Sequence, residues 1–213
     1  MEVVDLGRLP YEEGLDCLHR YRAQLSPGHS ASFLLLLEHD PVITLGLRPA
    51  GTGMLATPED LALRGIAFRQ TDRGGLATAH EPGQLVVYPV LRPPLGKAQT
   101  RVLVECLEDA VIEILEGFGI AGTREPEHGP GVWVGGAKLA ACGLRLQDGV
   151  TKHGLAFNVT NSLATFAWIR PCGLQAPVTT LSRLLDSPAP SLWEEVKGRL
   201  SRALVTRLLP YAS

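Results

Sequence analysis

Two residues in this chain could do nucleophilic chemistry together. Cys172 lies in Ile169-Arg170-Pro171-Cys172-Gly173-Leu174, and Lys138 lies upstream in Gly135-Gly136-Ala137-Lys138-Leu139-Ala140. Proline and glycine on either side of the thiol put it on a constrained turn, where backbone groups can come close to the sulfur. A free cysteine is mostly thiol at neutral pH and needs a nearby cation or base to supply thiolate. A lysine ammonium is one such cation. Taken alone, a cysteine is more often a small buried hydrophobe, so other segments must decide.

Two further segments carry polar or catalytic residue types. Arg73-Gly74-Gly75-Leu76-Ala77-Thr78-Ala79-His80-Glu81-Pro82-Gly83-Gln84 packs three glycines with an arginine, a threonine and a histidine. Such a loop can offer backbone amides and polar side chains to a ligand. It is not a Walker loop, because no Gly-Lys-Ser/Thr follows, and it lacks the GxGxxG spacing of a dinucleotide site. His153-Gly154-Leu155-Ala156-Phe157-Asn158 sets polar residues at both ends of an apolar run, with a glycine where a ligand or another chain could pass. A structural role is the default for His153. A metal site from His80, His128, His153, Cys142 and Cys172 lacks any recurrent zinc-ligand spacing. A Cys-His hydrolase with His80 or His153 as base is possible, but nothing papain-like surrounds Cys172.

The elements that must position these residues follow from periodicity and breakers. Glu2 to Leu6 reads as a strand, and Tyr11 to about Leu25 as a helix with Leu15, Leu18, Tyr21 and Leu25 on one face, ended by Ser26-Pro27-Gly28. Ser32 to Glu38 and Val42 to Leu45 are β-type runs, and the first is apolar enough for a central strand. Pro58 to Arg64 reads as a short helix, while Ile66 to Thr71 and Gln84 to Val90 read as strands with the glycine-rich loop between them. Gln99 to Phe118 is a helix by the period of Leu103, Cys106, Leu107, Ala110, Ile114 and Phe118. Gly131 to Val134, Lys138 to Leu146 and Val150 to Val159 read as strands, with a hairpin turn at Gln147-Asp148-Gly149. Leu192 to Leu209 is amphipathic through Leu192, Val196, Leu200, Leu204 and Leu208 and is expected to pack on the sheet. The order predicts one α/β domain of the α+β type over residues 1–213, a mixed sheet with flanking helices and no regular βαβ alternation.

Composition narrows the function classes. With 213 residues, 45% hydrophobic and 20% charged, the chain can bury a sizeable core. The formal charge of −2 with scattered lysines and arginines gives no basic patch, so nucleic acid is not an expected partner. Four dispersed cysteines without a CxxC pair fit a reducing cytoplasm. Met1 to Asp5 has no positive region or apolar core of a signal peptide, and the apolar run Phe33 to Leu37 is too short to span a bilayer. A cytoplasmic location without a membrane partner is expected.

Taken in order, the segments resemble the lipoyl(octanoyl) transferase family, the octanoyltransferases of lipoate biosynthesis. The resemblance runs from Leu37-Glu38-His39-Asp40-Pro41-Val42-Ile43-Thr44-Leu45-Gly46 through Arg73-Gly74-Gly75 with Thr78, His80, Pro82, Gly83 and Gln84. It continues with Gly131-Val132-Trp133-Val134 and Lys138, then His153-Gly154-Leu155-Ala156 with Asn158, and ends at Pro171-Cys172-Gly173-Leu174. It implies a fold similar to the lipoate and biotin protein ligase catalytic domain and a ping-pong acyl transfer without metal or cofactor. By the same resemblance Cys172 takes octanoyl from octanoyl-acyl carrier protein as a thioester. A lysine of the lipoyl domains of 2-oxoacid dehydrogenases, or of the glycine-cleavage H protein, then receives it as an amide. Lys138 matches the lysine that lowers the cysteine pKa. Arg73, Gly74, Gly75, Leu76, Ala77, Thr78, Ala79 and His80, with Ala141, Cys142, Gly143, Gly154, Leu155 and Ala156, match the segments lining the substrate site.

Two departures stand out. The family usually has an aromatic residue where this chain has Ala79, and a glycine where it has Glu81. Ala79 is expected to widen the acyl slot, and Glu81 brings a side chain and a negative charge to a position where glycine would allow a positive φ. Cys142 replaces an aliphatic residue as a buried substitute. Three other classes compete with the transferase. They are an ATP-dependent lipoate or biotin ligase, which would not need Cys172, an amidotransferase moving octanoyl between lipoyl domains, and a catalytically dead binding module.

Overall fold

In the computed structural model, residues 1–25, 31–47, 53–169 and 177–212 are described. In chain order the strands are β1 (Glu2–Leu9), β2 (Phe33–His39), β3 (Val42–Leu45), β4 (Ala67–Gln70), β5 (Ala77–His80), β6 (Gln84–Val90), β7 (Gly131–Val134), β8 (Ala137–Cys142), β9 (Arg145–Gln147), β10 (Val150–Lys152) and β11 (Leu155–Asn158). The helices are α1 (Tyr11–Ala23), α2 (Pro58–Ala62), α3 (Thr100–Glu116), α4 (Leu181–Leu184) and α5 (Leu192–Leu208).

The main sheet runs β1-β2-β6-β11-β8-β7. β1 pairs parallel to β2, and the remaining neighbours are antiparallel. Strand β2 has a neighbour on each side, and its uninterrupted apolar run is the consequence. Leu34 and Leu36 join the core under α3 and α5, while Phe33, Leu35 and Leu37 join Leu18 and Leu25 on the α1 side. A second sheet, β4-β3-β5, closes a third apolar cluster around Ile43, Leu61, Ala79, Leu163 and Phe166.

The amphipathic stripe expected of α5 is fully buried, with Leu192, Val196, Leu200, Leu204 and Leu208 all in the core. The face expected of α1 also meets the sheet, with Leu18 and Leu25 buried and Leu15 and Tyr21 packed against the same cluster, and Tyr11, Gly14 and Cys17 extend the buried side. The helix passes so close to the sheet that a Cβ on Gly14 would lie 2.5 Å from His39 Cε1.

Three expected elements differ. The glycine-rich connector contains strand β5, which pairs antiparallel with β3. The single strands expected over Lys138 to Leu146 and Val150 to Val159 are each two strands, interrupted at Gly143-Leu144 and at His153-Gly154. In the second case the break has a steric cause: a Cβ on Gly154 would meet the Val87 carbonyl oxygen at 2.2 Å, and the preceding His153 has φ +59°. The expected hairpin is present between β9 and β10, with positive φ at both Asp148 and Gly149, as a two-residue type I′ turn requires. The breaker at Ser26-Pro27-Gly28 lies outside the described residues.

Leu107, fully buried on α3 between the sheet and α5, carries part of the larger core. Leu107→Ala should lower the unfolding free energy by about 2–5 kcal/mol, read as a shift of the denaturant midpoint.

Candidate active site

A cavity of ≈ 270 Å³ opens beside the main sheet. Its floor is one row of residues across three strands, since Val86 on β6 pairs with Ala156 on β11, which pairs with Ala141 on β8. Two alanines stand where larger side chains would fill the space. Arg73 to Thr78 and His80 form one wall, Gly143, Leu144, His153 and Gly154 another, and His128 to Pro130 the rim.

Lys138 lies on the wall of this cavity although only 5% of its surface is exposed. Its Nζ stands 5.1 Å from the centroid of the Trp133 ring, the residue opposite it on β7. A ring face stabilises a desolvated ammonium, an attraction of order 2 kcal/mol when water is excluded. The strand next door makes room for the lysine stem: Gly131 has φ +147°, and a Cβ there would lie 2.7 Å from Lys138 Cε and 2.3 Å from the Ala140 carbonyl oxygen. The backbone of Lys138 is also engaged. Its N–H donates to the Pro177 carbonyl at 2.8 Å, and its carbonyl accepts from the Thr179 N–H at 3.0 Å. The chain at 177–179 is therefore bridged to the lysine as an added parallel pair, Lys138 with Val178.

Arg73 shapes the wall. Its Nε donates to Thr44 Oγ1 at 2.9 Å, and its Nη2 donates to the carbonyls of Thr44 and Leu76 at 2.6 and 2.5 Å. The guanidinium thus ties the glycine-rich stretch to β3.

Behind the wall runs a chain of buried polar side chains. His80 Nδ1 lies 2.7 Å from Gln84 Oε1, and Gln84 Nε2 donates to Asn158 Oδ1 at 2.9 Å and to the Ala79 carbonyl at 3.2 Å. Asn158 Nδ2 donates to the Thr179 carbonyl at 3.1 Å, and Asn158 Oδ1 accepts from Asn161 Nδ2 at 3.2 Å. The imidazoles are held neutral. Burial lowers His80 to about 3 and His39 to about 4, and it lowers His153 to about 4 despite the Asp72 carboxylate 2.9 Å from Nε2. Asp72 also accepts from Lys152 Nζ at 3.0 Å and lies at about 2, because these hydrogen bonds outweigh the upward push of burial. His39 Nδ1 faces the Leu9 carbonyl, so it carries the proton and Tyr88 donates to Nε2 at 2.8 Å.

Of the residues expected to line a substrate site, Arg73, Gly74, Gly75, Leu76, Ala77, Thr78, His80, Ala141, Cys142, Gly143, Gly154, Leu155 and Ala156 all border the cavity, as does Lys138. Ala79 does not. Strand alternation turns it into the third apolar cluster opposite Ile43, so it does not widen this cavity. Glu81 does not border it either; its carboxylate is buried and binds the 161–165 turn. Glu81 is also absent from the positive-φ positions, so the chain does not need glycine there. Cys172, with Pro171, Gly173 and Leu174, lies outside the described residues. Cys142 is half-buried rather than fully buried, and desolvation of its thiol with the nearby Glu108 carboxylate pushes it up despite Lys138. Among the described residues the one group with metal-ligand geometry is Glu125, Glu127 and His128, a partly exposed cluster in which His128 Nδ1 already lies 2.8 Å from Glu125 Oε2. Sequence reasoning missed Tyr11, Val86, Tyr88 and Leu144 as wall residues. The period-two spacing of Val86 and Tyr88 on β6 was the available signal.

Residues 10–205 match the family model described as the lipoyl protein ligase A/B catalytic domain. Among curated relatives, the octanoyltransferase of Solibacter usitatus is 41% identical, covering 98% of this chain and 94% of its own. The octanoyltransferase of Chloroflexus aggregans is 42% identical over 96% of this chain and 93% of its own. Among solved structures, a lipoate-protein ligase A bound with ATP superposes with a TM-score of 0.75 at 18% identity, over 98% of this chain and 86% of that one. The biotin protein ligase of Aquifex aeolicus gives 0.54 at 16% identity, over 98% of this chain and 68% of that one. These two likenesses carry the fold alone. Among the described residues no helix is long and apolar enough to cross a membrane.

The buried imidazoles set a pH dependence of stability. Their folded pKa values, about 4, 3 and 4 for His39, His80 and His153, lie below the ordinary 6.5. Between those values the unfolded chain binds protons that the folded chain does not, so stability is full above about pH 6.5 and falls towards pH 4. Each histidine contributes up to about 1.4 kcal/mol per pH unit in that window. Asp72, lowered to about 2 from 3.8, extends the loss below pH 4. The denaturant midpoint should therefore drop between pH 7 and pH 5, and a midpoint constant over that range would contradict the assignment.

Proposed function

The chain belongs to the lipoyl protein ligase A/B catalytic domain family, and from that premise we propose that it is an octanoyltransferase. It moves octanoyl from octanoyl-acyl carrier protein to a lysine of a lipoyl domain, in 2-oxoacid dehydrogenases or in the glycine-cleavage H protein. Cys172 carries the acyl group, Lys138 activates it, and the reaction belongs in the cytoplasm. The curated relatives named octanoyltransferase support the activity over nearly the whole chain.

One observation carries the assignment of roles. A buried lysine borders a largely apolar cavity, and its backbone is paired with Pro177 to Thr179. Cys172 is five positions before Pro177, a reach of at most about 18 Å, and three positions after Ile169, which is bridged to Met54. One flank of the nucleophile segment is thus held against the Lys138 strand at the cavity, and the other against the third apolar cluster.

In the first half-reaction the Cys172 thiolate attacks the thioester carbonyl. The tetrahedral adduct collapses, the carrier thiolate leaves, and a proton restores the carrier thiol. In the second, the neutral amine of the acceptor lysine attacks the acyl-enzyme. It loses a proton and the Cys172 thiolate is regenerated. Buried imidazoles lowered to about 3 and 4 make His80 and His153 poor proton acceptors, which weighs against a Cys-His hydrolase; the Lys138 ammonium gives its proton to the departing carrier thiolate and, as the neutral amine, takes up the proton lost in the second half-reaction. Octanoyl recognition falls to the apolar wall, where each buried methylene contributes roughly 0.8 kcal/mol. The binding-module alternative loses its footing, because the Glu81 carboxylate does not enter the cavity.

Incubation with octanoyl-acyl carrier protein should add one octanoyl group to the wild-type chain in intact mass spectra, and Cys172→Ala should abolish it. An adduct that survives Cys172→Ala would falsify the mechanism. Lys138→Ala should slow acyl transfer by about 100-fold or more. It should also move the apparent pKa for Cys172 alkylation from below the free value of about 8.5 up to that value or beyond.

A further inference from the structure

We propose that Glu81 is a positioning residue for Cys172: its buried carboxylate fixes the 161–165 turn from which the chain runs into the nucleophile segment. This deepens the octanoyltransferase reading and rests on it. Glu81 is 3% exposed. Its Oε1 accepts from Asn161 Nδ2 at 3.2 Å, from Ser162 Oγ at 3.4 Å and from the Leu163 N–H, and its Oε2 accepts from the Thr165 N–H at 2.8 Å. An ionised carboxylate offers about four acceptor sites, and these four donors occupy them. Glu81 is therefore not disposed to act as a base or to bind substrate.

The turn it holds is strained. Leu163 has φ +68°, a left-handed conformation costly for a branched side chain, and such a conformation persists only where the surroundings enforce it. The N–H of that same leucine points at Glu81 Oε1. Beyond the turn, Thr165–Trp168 form a 3-10 turn, and Ile169 is 4% exposed and bridged to Met54, three residues before Cys172. On the far flank Pro177 and Thr179 are bonded to the Lys138 backbone. Asn158 joins the two flanks, since Asn161 donates to it and it donates to Thr179. Glu81 thus anchors one end of a short span whose other end is anchored by the lysine proposed to activate the thiol.

Glu81→Gln tests this with almost no change of shape, because the amide would turn an N–H towards a backbone N–H that now has an acceptor. Single-turnover acylation of Cys172 by octanoyl-acyl carrier protein should fall about tenfold or more, as expected when a reacting group is displaced by less than an ångström. The donor KM should stay within about twofold. The apparent pKa for Cys172 alkylation should rise towards about 8.5, and Glu81→Asp, which keeps the carboxylate, should recover part of the rate. A folded Glu81→Gln chain that acylates and alkylates like the wild type overturns the proposal, as does a loss of acylation with an unchanged alkylation profile. Should Glu81→Gln fail to fold, the decision passes to Glu81→Asp, whose acylation at the wild-type rate with a lowered melting temperature would mark the contact as merely structural. If the wild type forms no Cys172 adduct, the octanoyltransferase reading fails instead, and the alkylation profiles still decide the role of Glu81.

Discussion

Around the carboxamide of Asn158, the last residue of β11, three separate pieces of chain meet. Its oxygen accepts from Gln84 at the start of β6 and from Asn161, and its nitrogen donates to the carbonyl of Thr179. Gln84 in turn orients His80, and Asn161 reaches Glu81. A buried amide left without partners costs several kcal/mol, so this arrangement is close to all or nothing. Satisfied, it locks the edge of the second sheet, the 161–165 turn and the 177–179 strand to the end of one central strand. The cavity wall, the 161–165 turn, the 177–179 segment and the lysine strand then share a single reference point.

The cavity and the buried ammonium both oppose folding. Leaving space over Ala141 and Ala156 forfeits dispersion contacts that larger side chains would make, and desolvating Lys138 costs more unless partners compensate. Compensation comes from the face of Trp133 and from the close approach permitted by Gly131. The larger core under α3 and α5 lies on the opposite face of the sheet from α1 and its cluster. It can stabilise the sheet without filling the space that the chemistry needs. Sites that keep empty volume and unfavourable charge are tolerated where a separate core carries the stability.

The sequence made the scaffold and the cavity legible to different degrees, for identifiable reasons. Apolar periodicity located α3 and α5 closely because packing is their main requirement, and the β6 and β7 boundaries coincided with the observed ones. It failed at β5, where four residues between glycines form a strand only because β3 offers a partner far away in sequence. The breaks at Gly143 and His153 were hidden for the same reason: the crowding at Gly154 comes from Val87, on another strand. Most of the cavity-lining residues were readable from motifs, since loops that need close backbone approach must use glycine. Ala79 was misread because its direction depends on the register of β5 rather than on its neighbours. Glu81 was readable as unusual but not as useful, because its donors lie some 80 residues downstream.

Cys142, the described thiol that feels the Lys138 charge, clarifies what a nucleophile needs on this fold. Cys142 borders the cavity on the same strand as Lys138 and feels its charge, yet burial and the Glu108 carboxylate outweigh the lysine and keep it protonated. Proximity to the cation is therefore insufficient, because in a poorly hydrated site the cost of desolvating a thiolate exceeds the attraction of one nearby ammonium. A thiol that works here must also collect hydrogen bonds or water while it faces the lysine. A strand residue such as Cys142 has its neighbouring amides committed to the sheet and cannot do so. Proline and glycine on either side of Cys172 in the sequence suit a turn, where backbone donors can approach a sulfur. On the proposed mechanism the acyl carrier is therefore Cys172 rather than Cys142 on the strand.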